Sequence, residues 1–285
     1  MLWLLLAIIC AFFFATHQAF SKNILKKANN IVLSWASYVF GLPIVAVIAF
    51  LFVEIKYDSV FWLALAATVA LNFVALLLFF KSIQTSPLSK VIPLVNLTPL
   101  FLIFTAIFIA GEFPSAKGIL GILIIVIGAY LLNISTSKSG FFEPFKFIVK
   151  HKGSFYMLLV AFIWSFSASF DKLAINHSNP LFFTLCEYLI FSLIFIPIIL
   201  KTKEKFKVVK LNFTAFIFIG GAYALMFISQ MFAVSMFYVS YVVAIKRAGV
   251  LFSILFGWLF FKEKNIKESL LGAIVMVIGV FILAI

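Results

Sequence analysis

The chain reads as a succession of uncharged apolar runs separated by short polar stretches. The runs lie near 2–20, 31–53, 59–80, 91–110, 118–134, 155–170, 181–200, 211–233, 239–261 and 269–285. A bilayer span takes roughly 20 apolar residues, so the pattern predicts ten transmembrane helices and an all-α membrane protein. Ten such spans leave only short connections, with no room for a catalytic domain outside the membrane. The first run has no basic segment before Leu2 and no small-residue cleavage pattern after it, and is read as a retained span rather than a signal peptide.

Composition agrees with a lipid environment. Residues of the AVILMFWYC group make up 65% of the 285 positions, charged residues 11%, and mean hydropathy is +1.24. A soluble chain is about half apolar and about a quarter charged. The net charge of +13 does not point to nucleic acid, because the lysines sit between spans, where they set topology and meet anionic lipid. Cys10 and Cys186 fall in apolar runs and are expected in the core.

The two halves resemble each other at one offset. Spacing by 150 pairs Ala11-Phe12 with Ala161-Phe162, Phe20 with Phe170, Lys22 with Lys172 and Tyr38 with Tyr188. After one inserted residue, Glu112 meets Glu263, and Val126-Ile127-Gly128 meets Val277-Ile278-Gly279. The reading is an internal duplication: a five-span unit over 1–137, a basic connection over 138–152, and a second unit over 153–285. Five is odd, so the second unit runs in the opposite sense to the first. The connection charges follow suit: 17 Lys lie in the odd-numbered connections and 3 in the even-numbered ones. By the positive-inside rule the odd connections are cytoplasmic and both termini lie outside.

Two tandem five-span units, each ending in a Glu, a short basic linker and a Gly-x6-Gly span, resemble the EamA-type repeats of the drug/metabolite transporter superfamily. That resemblance implies a transporter of the plasma (inner) membrane, with spans five and ten at a packing surface away from a central cavity. It also implies cytoplasmic termini, the reverse of what the charges say. Gly121 and Gly128, like Gly272 and Gly279, share a helix face on which small residues allow close approach. Pro93 and Pro99 in span four, Pro43 in span two and Pro197 in span seven mark kinks, as expected where a cavity opens and closes.

Polar residues inside the spans mark the candidate site. Lys246 and Arg247 are the only ionisable groups other than tyrosine after Lys210 and before the end of span nine, and Arg247 is the only arginine of the chain. At 1.5 Å per residue they lie about 8 Å deep if the span begins near Ser240. A planar guanidinium binds carboxylate or phosphate through two hydrogen bonds; the alternative is a side chain reaching to the interface. The Lys-Arg pair also resembles the one in triose-phosphate and nucleotide-sugar transporters, where it grips the substrate's phosphate, which implies the same for Lys246 and Arg247. The repeat offset sets Asn96 opposite Arg247, and Asn96 and Thr98 are expected to add neutral hydrogen bonds. Glu187 is read as the one carboxylate well inside an apolar run, with three options: an ion pair with Lys246 or Arg247, proton coupling, or a tail to the interface. His17 and Gln18 in span one are weaker candidates, as are Asn72 and Gln230. Tyr241 belongs either to the site or to the interfacial aromatic belt. The many phenylalanines are read as lipid-facing.

There is no Gly-rich phosphate loop, no HExxH, no Cys/His metal spacing and no nucleophile elbow, so neither an enzyme nor a cofactor is expected. The favoured reading is a permease for a small organic anion, with the lipid bilayer and that solute as its partners, no nucleic acid, and a monomer or homodimer as its assembly. The alternatives are an exporter of amino acids or amphipathic drugs, and a non-transporting membrane protein in which Lys246 and Arg247 pair internally.

Overall fold

The computed structural model describes residues 1–24, 30–86, 91, 94–137, 151–201, 205–261 and 266–285. They form twelve helices: α1 (Leu2–Ile24), α2 (Asn30–Phe52), α3 (Ser59–Thr85), α4 (Thr98–Ala110), α5 (Ala116–Ser137), α6 (Lys152–Asn176), α7 (Pro180–Leu200), α8 (Lys205–Leu211), α9 (Phe213–Met236), α10 (Val239–Arg247), α11 (Val250–Phe261) and α12 (Ile266–Ala284). Among the described residues seven segments are long and apolar enough to cross a membrane: α1, α2, α3, α6, α7, α9 and the combined stretch Val239–Phe256. Thr98–Ala110, Ala116–Leu132 and Leu271–Ala284 are shorter apolar helices. The chain is all-helical among the described residues. Glu263 and Pro93, named above, lie outside them.

Local chemistry sets several helix ends. Asp58 caps α3 by accepting from the backbone N–H groups of Val60 and Phe61. Asn179 caps α7 by accepting from Phe182, with Pro180 in the first turn, where its missing N–H costs nothing. Gly111 ends α4 at φ 67°, in the left-handed region that glycine enters without strain. Pro43 and Pro197 lie inside α2 and α7.

The fourth and ninth apolar runs are interrupted helices rather than continuous ones. Leu94 and Val95 are helical, Asn96 and Leu97 form a turn, and α4 starts at Thr98. In a continuous helix the Val95 carbonyl would accept from residue 99, but Pro99 has no N–H. The Thr98 hydroxyl donates to that carbonyl instead, at 2.7 Å. In the ninth run Ala248 and Gly249 form the turn between α10 and α11. A Cβ on Gly249 would lie 2.6 Å from the Ala11 carbonyl oxygen, so only glycine lets this turn rest on α1.

Packing is dominated by contacts between the two halves. α5 lies along α12, α3 along α6, α1 along α9, α2 along α7, α4 along α6, and α1 against α10 and α11. The α5–α12 seam is glycine on glycine: added Cβ atoms on Gly128 and Gly272 would approach the other's carbonyl oxygen to 2.9 and 2.8 Å, and one on Gly279 would reach that of Gly121 at 2.9 Å. Cys10 is buried and Cys186 half-buried.

One end of the bundle gathers Trp3, Asp58, Glu112, His177 and Phe237. Trp3 stacks on Phe237 at 4.2 Å, His177 Nδ1 meets Asp58 Oδ2 at 2.7 Å, and the Asn179 amide donates to the Glu54 carbonyl.

Candidate functional site

A cavity of about 310 Å³ lies between the halves, walled by α1, α2, α3, α4, α6, α7, α9 and α10. Its size suits a small solute. It reaches towards Leu33, Ser34, Leu76 and Phe195 in one direction, and is floored in the other by Asp171, Glu187 and Gln230.

The cationic wall is the last turn of α10, where orphaned carbonyls favour positive charge. Lys246 Nζ donates to Gln230 Oε1 at 2.7 Å and sits 5.5 Å from the centre of the Phe14 ring. Arg247 Nη2 donates to Thr98 Oγ1 at 3.3 Å, and Arg247 Nε, buried, has no partner among the described residues. Because the Thr98 hydroxyl proton is committed to Val95, its lone pairs face the guanidinium. Among the described residues neither cation is in a direct ion pair, so both rest on neutral groups. Arg247 lies eight residues into α10, about 12 Å from the helix start.

The acidic wall is made by Asp171 and Glu187. Asp171 Oδ1 accepts from Thr68 Oγ1 at 2.5 Å, and Thr68 also meets Ser167 Oγ at 2.7 Å. Glu187 is 1% exposed, and its Oε2 has no hydrogen-bond partner among the described residues. Ser167 and Asp171, one turn apart on α6, present the same face to the cavity.

Between the two walls the lining is aromatic and hydroxylic. Tyr223 donates to Tyr38 at 3.2 Å, Tyr38 stacks on Phe191 at 4.9 Å, and His17 Nε2 meets Ser37 Oγ at 3.0 Å. Phe14, Phe191, Phe195 and Phe227 therefore line the cavity, against the reading of the phenylalanines as lipid-facing.

Of the residues singled out from sequence, the cavity brings together Lys246, Arg247, Thr98, Glu187 and His17, along with Asn72 and Gln230. It does not bring in three others. Asn96 sits half-buried in the helix turn, outside the cavity lining. Gln18, one residue from His17 and so about 100° around the helix, is exposed on the outer surface. Tyr241 packs at the far end of α10, its hydroxyl 3.3 Å from Ser115 Oγ and against Gly118, whose missing side chain makes the room.

Asp171 escaped the sequence reading, which left Glu187 as the one carboxylate inside an apolar run. The sixth apolar run stops at Phe170, and an adjacent Asp-Lys pair looks like the start of a connection. The helix instead continues to Asn176 and carries Asp171 into the cavity. The signal was the return of apolar residues at Leu173, Ala174 and Ile175.

Comparison with known proteins agrees with this architecture. The EamA-like transporter family matches residues 1–134 and 151–285. No curated protein matches the chain. A solved structure titled only "Crystal structure of protein" is similar with a TM-score of 0.72 at 14% identity, over 98% of this chain and 95% of that one. At that identity the likeness speaks for the fold alone.

Proposed function

This chain belongs to the EamA-like transporter family and is a multi-pass integral membrane protein, and from that premise we propose that it carries a small organic anion across the plasma membrane by alternating access. In this reading the seven long apolar segments and the three shorter apolar helices make ten spans, in two inverted units with a site between them. Supporting a pseudo-two-fold relation between the units, the packing pairs come in exchanged sets: α3 with α6 answers α9 with α1, and α4 with α6 answers α10 and α11 with α1. Lysine placement supports an orientation with both termini outside.

The observation that carries the anion reading is the state of Lys246 and Arg247. Two cations face one solute-sized cavity, each held by a neutral side chain, with one guanidinium nitrogen left over among the described residues. A carboxylate or phosphate on the solute satisfies both charges and takes the guanidinium fork. The test is thermal unfolding of the purified protein with phosphate monoesters, short carboxylates, amino acids and quaternary amines. Stabilisation by the acids, about 2.7 kcal/mol at a hundredfold excess over Kd, supports the proposal, and stabilisation by the amines alone contradicts it.

One observation favours a second reading. Asp171 and Glu187 place negative charge in the same cavity as the cations. A solute bearing both an acid and an amine, such as an amino acid, spans the two poles, and the Tyr38, Phe191 and Tyr223 surface suits an apolar body between them. Amino acids stabilising the protein more than acids of matched size would select this reading.

A further inference from the structure

We propose that Glu112 and Lys172 form a clasp that holds the cavity shut at the Trp3 and Phe237 end of the bundle and must open in the transport cycle. The inference rests on alternating access but on no particular substrate.

The two residues come from different halves of the chain, Glu112 from the turn after α4 and Lys172 from α6. Their side chains are 7% and 11% exposed, and Lys172 Nζ lies 3.3 Å from Glu112 Oε1. Each also holds backbone at the junction of α9 and α10. Lys172 Nζ donates to the Val234 carbonyl at 2.6 Å and the Phe237 carbonyl at 3.1 Å, which closes the end of α9. Glu112 Oε2 accepts from the Val239 N–H at 2.8 Å, the first N–H of α10. One ion pair thus satisfies orphaned groups at the end of one helix and the start of the next, across a two-residue connection. Trp3 covers that connection by stacking on Phe237. The left-handed turn at Gly111 is what places Glu112 there.

This arrangement ties α10 to both halves at its N-terminus, while its C-terminus, about 12 Å away, carries Lys246 and Arg247. Opening the cavity at this end requires α10 and α9 to part from α6 or from the α4 end, and either movement breaks the clasp. Breaking it by substitution leaves a buried charge without its partner, which raises the closed state in free energy relative to one in which that charge is wetted. Loss of either charge therefore opens this end.

The experiment reads which face reaches the cavity. A single cysteine replaces Ala168, which lines it, in a Cys10→Ala, Cys186→Ala background. A second protein with Lys56→Cys, exposed in the connection on the clasp side, identifies that face. Membrane-impermeant maleimide is applied to right-side-out and inverted membrane vesicles. With the clasp intact, Ala168→Cys reacts mainly from the face opposite Lys56→Cys. Glu112→Gln and Lys172→Gln should each raise its reaction from the clasp face at least about tenfold. An unchanged ratio of labelling from the two faces in either folded variant overturns the proposal. If neither single variant reaches the membrane, the double Glu112→Gln, Lys172→Gln variant, which strands no charge, is read in the same way. Failure of that variant to fold makes the pair a structural requirement and also overturns the proposal.

Discussion

Arg247 and Thr98 meet at 3.3 Å across the two interrupted helices, each sitting at or beside its helix turn. Pro99 frees the Val95 carbonyl, Thr98 donates to it, and the same hydroxyl accepts from the guanidinium. The helix interruption in one half thus orients the key cation of the other.

Replacing Arg247 by Lys keeps the charge but loses the planar fork. The protein should insert and unfold as before, while the affinity for the stabilising acid falls by roughly ten to a hundredfold, the value of a hydrogen bond to a charged group. Titrated thermal shifts measure it. Unchanged affinity would make Arg247 a generic charge.

Gly128→Leu tests the seam between α5 and α12. Its Cβ would lie 2.7 Å from the Met276 backbone nitrogen and 2.9 Å from the Gly272 carbonyl oxygen, so backbone must move. The expected loss is about 1–3 kcal/mol of stability. Because the seam lies outside the cavity lining, ligand affinity in the folded fraction should be unchanged; a lost thermal midpoint with lost binding would place the seam in the site.

The seam was legible in the sequence because a Gly-x6-Gly spacing fixes a helix face whatever packs on it. Lys246, Arg247 and Glu187 were legible because charge in an apolar run is costly and therefore conspicuous. Asp171 and Lys172 were not, since adjacent opposite charges at the edge of a run look solvated. Only the helix geometry, about 100° per residue, sends Asp171 to the cavity and Lys172 to the end of α9. Asn96 failed for the converse reason: the repeat offset matched it to Arg247, but the two turns differ by a residue, Asn96-Leu97 against Ala248-Gly249.

Asp58 gives a pH dependence outside the membrane. Its hydrogen bond to His177 is the chief cause holding its carboxyl below the ordinary value of 3.8, offset in part by desolvation. A depressed carboxyl contributes stability that is fully present above its unfolded value and is lost as pH falls through its folded value. Asn caps a helix about as well as Asp, so Asp58→Asn isolates the charge. The difference in thermal midpoint between the two proteins should exist at neutral pH, shrink below pH 3.8, and shrink also with added salt, since the pair is solvent-exposed. A difference independent of pH would assign the effect to the cap.

Orientation is read by a reporter fused after Ile285. The lysine bias predicts activity of an extracytoplasmic reporter and silence of a cytoplasmic one. Lys172 adds to that bias, since it is buried in α6 and leaves the even connections with Lys56 and Lys117. The reverse pattern would set both termini inside.

The most direct test of the account is uptake into proteoliposomes of the labelled form of the acid that stabilises the protein best, with and without the unlabelled acid inside. Among the described residues Lys246 and Arg247 have only neutral partners in direct contact, and Asp171 and Glu187 line the same cavity without pairing with them, so an empty carrier must occlude two cations out of contact with a counter-charge, at a cost of several kcal/mol that slows its return by orders of magnitude. The account predicts uptake at least about tenfold faster when unlabelled acid waits inside. Equal rates with and without it would contradict this account and point to Asp171 or Glu187 as the internal counter-ion, and no uptake above protein-free vesicles would contradict transport of the acid altogether.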